Sequence, residues 1–135
     1  MVSDKIVATA TGETITDEPR DPSAIVYAPS GFIGVHFCPA SRKRLSGALA
    51  TPDEAKADIT GYVGYIAVLT VHPGKIFHHQ LVTIAPGGGG SLERSYELVG
   101  NELHLNFPPL EVKGREQQTR VSLRRLSGEA EMLGK

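Results

Sequence analysis

Short apolar segments alternate with turn-forming residues along nearly the whole chain, and this rhythm constrains the fold more than any other feature of the sequence. Glycine and proline are plentiful, at 15 and 9 residues, and they fall between the apolar segments, as expected for short strands joined by tight turns. The predicted strands are residues 4–10, 12–16, 23–28, 32–38, 62–72, 75–84, 91–99, 101–107 and 118–126. About nine strands, each beside its neighbour in sequence, predict an antiparallel up-and-down meander, which tends to close into a barrel because closure removes exposed edges.

One helix is predicted, near residues 51–60. Thr51 is placed to cap it, Pro52 suits the first helical position, and Glu54 completes a capping box. A single short helix cannot supply the alternation of strands and helices that an α/β fold requires, so we predict an all-β protein. The length of 135 residues is typical of one domain, which we take to span residues 1–135.

The charge balance and the cysteine count limit the class of partner. The chain has 14 Lys and Arg residues against 15 Asp and Glu residues, so it lacks the positive charge of a nucleic-acid-binding domain. No apolar run approaches the ~18 residues of a membrane-spanning helix, and the N-terminal residues do not resemble a signal peptide. The single cysteine, Cys38, fits a reducing compartment. We therefore expect a cytoplasmic protein that binds neither nucleic acid nor membranes.

Strand alternation predicts that two arginines share a face with apolar side chains. The inward-facing sets are Leu92, Arg94, Tyr96 and Leu98; Val121, Leu123 and Arg125; and Leu103, Leu105 and Phe107. In segments 32–37 and 62–71 both faces are apolar, and the pattern does not choose between them. In segment 75–84 the inward face is also left open. An inward arginine is unfavourable unless a partner compensates its charge. The structural interpretation is that such an arginine forms an ion pair or reaches water at a barrel mouth. The functional interpretation is that it binds a carboxylate, enolate or phenolate oxygen of a ligand.

Two adjacent histidines, His78 and His79, lie in the middle of a predicted strand. Alternation directs their rings to opposite faces, so one ring points inward and the two cannot bind one metal ion together. An inward histidine near a tyrosine and an arginine is suited to proton transfer, because its pKa lies near neutrality. The structural alternative is one hydrogen-bonded core histidine and one exposed histidine. The other histidines are scattered without an acidic cluster, so no metal site is predicted.

Seven short motifs are informative through their order and spacing over residues 3–126 rather than singly. They are Asp21-Pro22, Tyr27-Ala28-Pro29-Ser30-Gly31, Thr51-Pro52-Asp53-Glu54, Gly61-Tyr62-Val63-Gly64-Tyr65, His78-His79, Arg94-Ser95-Tyr96-Glu97-Leu98 and Val121-Ser122-Leu123-Arg124-Arg125-Leu126. This order resembles that of the lipocalin-like domain family of bacterial and fungal proteins. The resemblance implies a lipocalin-like β-barrel of about 8–9 strands with an internal pocket. Some members are encoded beside natural-product pathways, which implies a terpenoid or polyketide ligand.

The residues and the resemblance together lead to three hypotheses. In the first, the protein is a cofactor-free isomerase or cyclase acting on a small hydrophobic metabolite in natural-product biosynthesis. In the second it is a non-catalytic carrier of such a molecule, and in the third it is an interaction domain with a packed interior. No cofactor is expected, and association into a homodimer is left open. The candidate catalytic residues are His78, His79 and Arg94, and the candidate ligand-binding residues are Tyr27, His36, Tyr65, Tyr96 and Arg125.

Overall fold

The computed structural model describes residues 3–17, 23–85 and 87–126, and over these ranges the chain is almost entirely antiparallel β-sheet. The predicted Asp21-Pro22 motif lies outside the described residues. The helices and strands are β1 (Ser3–Ala8), β2 (Thr14–Asp17), β3 (Ala24–Tyr27), β4 (Phe32–Phe37), α1 (Pro52–Gly61), β5 (Val63–His72), β6 (Lys75–Thr83), β7 (Gly90–Val99), β8 (Glu102–Asn106), β9 (Leu110–Val112) and β10 (Arg115–Arg124). For the described residues, the all-β prediction and the single short helix are confirmed. Within the described ranges, no helix has the length and apolar character needed to cross a membrane.

The strands form one sheet in the order β2-β1-β10-β8-β7-β6-β5-β4-β3, with β9 pairing beside β8 on β10. The first and last strands of the chain are therefore neighbours, as in an up-and-down barrel. The sheet is nevertheless open in the structure, because β2 and β3 are edge strands and do not pair with each other. Each of these edges is only four residues long, a length that restricts edge pairing. The predicted closed barrel is thus corrected to a sheet with one unpaired seam.

The open sheet still curls around an interior. Thr16 of β2 and Phe37 of β4 lie near opposite ends of the strand order, yet both belong to the wall of the same cavity. Strong curvature is the only way for a single sheet to bring its two ends to one cavity. The interior of this protein is therefore enclosed by one sheet, rather than by two stacked sheets.

A short hairpin formed by β9 and β10 raises the strand count from the predicted nine to ten over the described residues. β9 pairs with the first residues of β10 through the turn Lys113-Gly114, in which both φ angles are positive, at 53° and 75°. Positive φ at both central residues is the geometry of a type I′ hairpin turn. Lysine rarely adopts that conformation, so the sequence carries little signal for it. As a result the last strand begins at Arg115 rather than at residue 118.

The structure decides the faces that alternation left open. The inward-facing side chains are Ile33, Val35 and Phe37 of β4, Tyr65 and Ala67 of β5, and Ile76, His78 and Gln80 of β6. A register shift between β5 and β6 places Gln80 opposite Ala67 and Thr83 opposite Tyr65, which leaves one extra residue in β6. This β-bulge reverses the alternation. Thr83 consequently faces the interior, whereas Val82 is 65% exposed.

The interior contains a packed apolar cluster and, beside it, a cavity. The buried cluster comprises Ile33, Val35, Phe37, Tyr65, Ala67, Ile76, Leu105, Val121 and Leu123. The predicted inward set of β8 is confirmed, as are Leu92, Arg94 and Tyr96 of β7, but Leu98 is 70% exposed at the end of its strand. The cavity shares Phe37, Tyr65 and Val121 with this cluster and extends toward the loop between β6 and β7, where Ala85 and Gly88 form part of its wall.

The helix α1 begins with the capping box that the sequence predicts. The Thr51 hydroxyl accepts a hydrogen bond from the amide of Glu54 at 3.3 Å, and the Glu54 carboxylate accepts one from the amide of Thr51 at 2.9 Å. No residue of α1 is buried. The helix is therefore held by its own termini and by its connections more than by packing on the sheet.

Replacing Thr51 with alanine is expected to weaken α1 while leaving the stability of the sheet unchanged. Loss of an N-terminal cap lowers helix stability by about 1 kcal/mol. Because α1 has no buried residue, this loss should not affect the packing of the core. Hydrogen exchange should show faster exchange of the α1 amides, with the same urea midpoint as the wild type. A parallel fall in the urea midpoint would contradict the expectation, because it would show that α1 unfolds together with the sheet.

Candidate functional site

Arg94 is a buried cation on the inner face of β7. The residue is only 9% exposed, its guanidinium carbon lies 3.5 Å from the centre of the Phe107 ring, and its Nη1 donates a 2.7 Å hydrogen bond to the carbonyl oxygen of Glu93. Among the described residues no carboxylate forms an ion pair with it. Burial lowers the pKa of Arg94, and the nearby phenol oxygens of Tyr65 and Tyr27 partly oppose this. Within the described part of the chain, the interior thus contains a positive charge without a negative partner.

His78, next to Arg94 in the interior, lies between two tyrosines. Its ring Nδ1 is 2.8 Å from the hydroxyl oxygen of Tyr65, and its Nε2 is 3.5 Å from the hydroxyl oxygen of Tyr27. The residue is 1% exposed. Burial, assisted by the charge of Arg94, lowers the pKa of His78 to about 4. At neutral pH the ring is therefore uncharged, so one nitrogen donates a hydrogen bond and the other accepts one.

The two tyrosines around His78 also remain uncharged. Burial raises the pKa of Tyr65 above its ordinary value, although Arg94 opposes the shift. Burial likewise raises the pKa of Tyr27, with Tyr65 adding to the shift and Arg94 opposing it. Neither phenol can become a phenolate near neutral pH and neutralise Arg94. The four side chains form a cluster, which we call the Arg–Tyr–His cluster: Arg94, Tyr65, His78 and Tyr27.

The Arg–Tyr–His cluster adjoins a cavity of about 390 Å³. Arg94 and Tyr65 are in the cavity wall, whereas His78 and Tyr27 are not part of it, and His78 contacts the wall through Tyr65. The wall is formed by Ile6, Thr16, Phe37, Tyr62, Val63, Gly64, Tyr65, Gln80, Thr83, Ile84, Ala85, Gly88, Leu92, Arg94, Phe107, Thr119 and Val121. It is mostly apolar, with a few hydroxyl and amide groups. This composition is typical of sites for small organic molecules.

The structure brings together four of the predicted site residues and separates the other four. His79 lies on the outer face, where its ring nitrogens contact the hydroxyls of Thr70 at 2.8 Å and Ser91 at 2.6 Å. His36 is exposed and contacts the hydroxyl of Tyr62. The cavity wall includes neither Tyr96, which packs against the core, nor Arg125, which is exposed beyond the end of β10. The predicted inward orientation of Arg125 is wrong, because the strand ends at Arg124 and its alternation ends there too.

Several wall residues are missing from the sequence prediction. Phe107 supports the guanidinium of Arg94, and Gln80 and Thr83 supply polar groups on β6. Alternation contained a partial signal, because it placed Gln80 on the same face as His78. It contained none for Thr83, since the bulge in β6 is invisible without its partner strand. In the part of the chain that the structure describes, no group of three His, Cys, Asp or Glu residues could hold a metal ion.

Comparison of the chain with protein-family models, with curated proteins and with solved structures returned no match. The cavity and the Arg–Tyr–His cluster are consequently the features from which a function can be inferred.

Proposed function

We propose that the protein binds a small, largely apolar molecule in its interior cavity and holds an acidic oxygen of that molecule against Arg94. The observation that carries the proposal is the burial of Arg94 in a mostly apolar wall without a carboxylate partner among the described residues. A buried charge is strongly unfavourable unless it is compensated. An anionic ligand group would supply the missing charge through charge-assisted hydrogen bonds.

The size of the cavity also supports a ligand-binding function. An interaction domain with a packed interior predicts a cavity smaller than about 300 Å³, since drug-sized ligands seldom fit in less. The observed volume is about 390 Å³. This favours the carrier and enzyme hypotheses over the packed-domain hypothesis.

Calorimetric titration with 2-naphthoate tests the proposal. This probe combines an apolar double ring with a carboxylate that is ionised at neutral pH. The neutral compound 2-acetylnaphthalene, of nearly the same shape, is the matched control ligand. We expect saturable binding of 2-naphthoate and at least tenfold weaker binding of 2-acetylnaphthalene. Equal affinities, or no binding of either compound, would reject Arg94 as an anion anchor.

Filling the cavity with a larger side chain should abolish binding without unfolding the protein. Leu92 lies in the cavity wall on β7, and Leu98 lies on the same strand but is 70% exposed. We expect Leu92→Trp to weaken 2-naphthoate binding more than tenfold and Leu98→Trp to leave it unchanged. Circular dichroism establishes that both variants are folded. If the two variants bind equally well, the ligand is not in this cavity.

A second candidate function is catalysis, namely cofactor-free isomerisation or cyclisation of the bound molecule. The observation that favours it is the contact between Tyr65, in the cavity wall, and the neutral ring of His78. Such a pair can exchange a proton with a ligand. Mass spectrometry after incubation with a panel of terpenoid and polyketide compounds separates the two functions. Recovery of every bound compound unchanged supports a carrier, whereas a new product supports an enzyme.

We also propose that the chain belongs to the lipocalin-like family. Its support is the strand order, in which β1 pairs with β10 and all the strands from β3 to β8 pair with their sequence neighbours. An up-and-down order around a ligand cavity is the arrangement of lipocalins. A natural-product ligand and a cytoplasmic location follow from the sequence prediction and remain predictions.

A further inference from the structure

The aromatic residues of the chain are concentrated around the cavity. The sequence contains four tyrosines, four phenylalanines and no tryptophan. Half of these eight side chains lie in the cavity wall, namely Phe37, Tyr62, Tyr65 and Phe107. Aromatic rings pack favourably on one another in offset or edge-to-face arrangements. The wall is therefore suited to a flat, conjugated molecule more than to a flexible aliphatic chain.

The charge of Arg94 influences the ionisation of any acid that binds in the cavity. The guanidinium is buried, and the charged or polar groups that influence its ionisation most are Tyr65 and Tyr27, both of which stay neutral. An opposite charge nearby favours the ionised form of an acid, and a low local dielectric strengthens the effect. A weak acid bound beside Arg94 should thus lose its proton more readily than it does in water.

Tyr65 can supply a second hydrogen bond to the same ligand atom. His78 is neutral and has one ring N–H, and its Nδ1 lies 2.8 Å from the Tyr65 hydroxyl oxygen. When Nδ1 carries the proton, it donates to this oxygen, and the O–H of Tyr65 is left to donate into the cavity. His78 is then a positioning residue, because it directs the Tyr65 hydroxyl without touching the ligand.

From these contacts we infer that the cavity selects a planar, weakly acidic phenol or enol and holds it in its ionised form, with the oxyanion between Arg94 and the hydroxyl of Tyr65. This inference rests on the proposed binding function and specifies its ligand class. On binding, the O–H bond of the ligand breaks, the electron pair stays on the ligand oxygen, and the proton passes to the solvent. No oxidant, reductant or cofactor takes part.

The test uses para-nitrophenol, whose ionised form absorbs visible light and whose neutral form does not. The absorbance is titrated with pH in the absence of protein and in the presence of saturating wild-type protein. We expect the apparent pKa of the bound phenol to fall by about 1 unit or more, as for an acid beside a buried arginine. An unchanged or raised pKa of the bound phenol overturns the inference.

Variants assign the effect to the named residues. We expect Arg94→Met to abolish the fall in the pKa of the bound phenol and Tyr65→Phe to reduce it. For the positioning role of His78, His78→Gln should retain most of the effect, because its amide can donate to Tyr65, and His78→Leu should lose it. If Tyr65→Phe or His78→Leu behaves as the wild type does, the corresponding role is rejected. The wild-type titration decides the main inference even if a variant fails to fold.

Two titrations distinguish failure of this inference from failure of the proposed function. If 2-naphthoate binds but the bound phenol keeps its solution pKa, the anion-binding function stands and the phenol or enol class is rejected. If neither compound binds, both proposals are rejected.

Discussion

Replacing Arg94 with methionine is expected to raise the stability of the unliganded protein and to remove most of its affinity for an anionic ligand. Methionine fills a similar volume but carries no charge, so the substitution removes an uncompensated cation from the interior. Substitution of buried charges by apolar residues of similar size can stabilise a protein by about 1 to 3 kcal/mol. Loss of a charge-assisted hydrogen bond costs about 2 kcal/mol of binding free energy, or roughly a thirtyfold loss of affinity. Urea denaturation and calorimetric titration with 2-naphthoate measure the two effects.

The matched control is Arg120→Met. Arg120 is an exposed arginine on β10, and its side chain donates to the side chain of Gln118. We expect this variant to bind 2-naphthoate as the wild type does, with a stability within about 0.5 kcal/mol of it. If Arg94→Met instead lowers the stability and leaves the affinity for 2-naphthoate unchanged, the stacking of Arg94 on Phe107 is structural. The anion would then be bound elsewhere.

Lowering the pH from about 6.5 to about 4 should destabilise the protein through His78. The pKa of His78 is about 4 in the folded protein, against 6.5 for an ordinary histidine. Between these values the unfolded chain binds a proton at this residue that the folded protein excludes, so the free energy of unfolding falls as the pH falls. The contribution is full above pH 6.5 and is lost by about pH 4. A pKa difference of this size corresponds to about 3 kcal/mol.

Comparison with His78→Gln isolates this contribution. At neutral pH we expect the variant to be less stable than the wild type by about 1 to 2 kcal/mol, because it disturbs the hydrogen bonds with Tyr65 and Tyr27. Near pH 4 the order should reverse, since the variant has no buried histidine to protonate. His79→Gln is the control: it changes the adjacent ring on the outer face and keeps His78. Urea denaturation at several pH values measures all three proteins, and a constant difference between wild type and His78→Gln would disprove the expectation.

Features encoded within a few consecutive residues were predictable from the sequence. The capping box at Thr51 and Glu54 predicted the start of α1. Pro73-Gly74, between the predicted strands 62–72 and 75–84, is typical of a hairpin turn, and Gly74 adopts the positive φ of 72° that such a turn requires. Alternation along single strands placed Arg94 and Leu92 inward on β7, where one face was polar and the other apolar. In each case the residues that allow the prediction lie within one helix end, one turn or one strand.

The faces of β4 and β5 were not predictable because both sides of these strands are apolar, and the inward face of β6 was left open as well. The bulge in β6 depends on how β5 pairs with it, and no residue in β6 marks the position. The seam between β2 and β3 is likewise a property of pairing, since the two strands are neighbours in sequence but lie at opposite edges of the sheet. Local alternation carries no information on any of these features.

The sequence by itself determined the class of this protein: an all-β chain with one capped helix and an arginine on an apolar strand face. Only the tertiary structure decided that His78, not His79, faces inward, and that it meets Tyr65 and Tyr27 from positions 13 and 51 residues away. It also decided that half of the aromatic side chains surround one cavity beside Arg94. The physical reason is that strand pairing and sheet curvature bring distant residues together, whereas periodicity reports only the side of its own strand on which a residue lies.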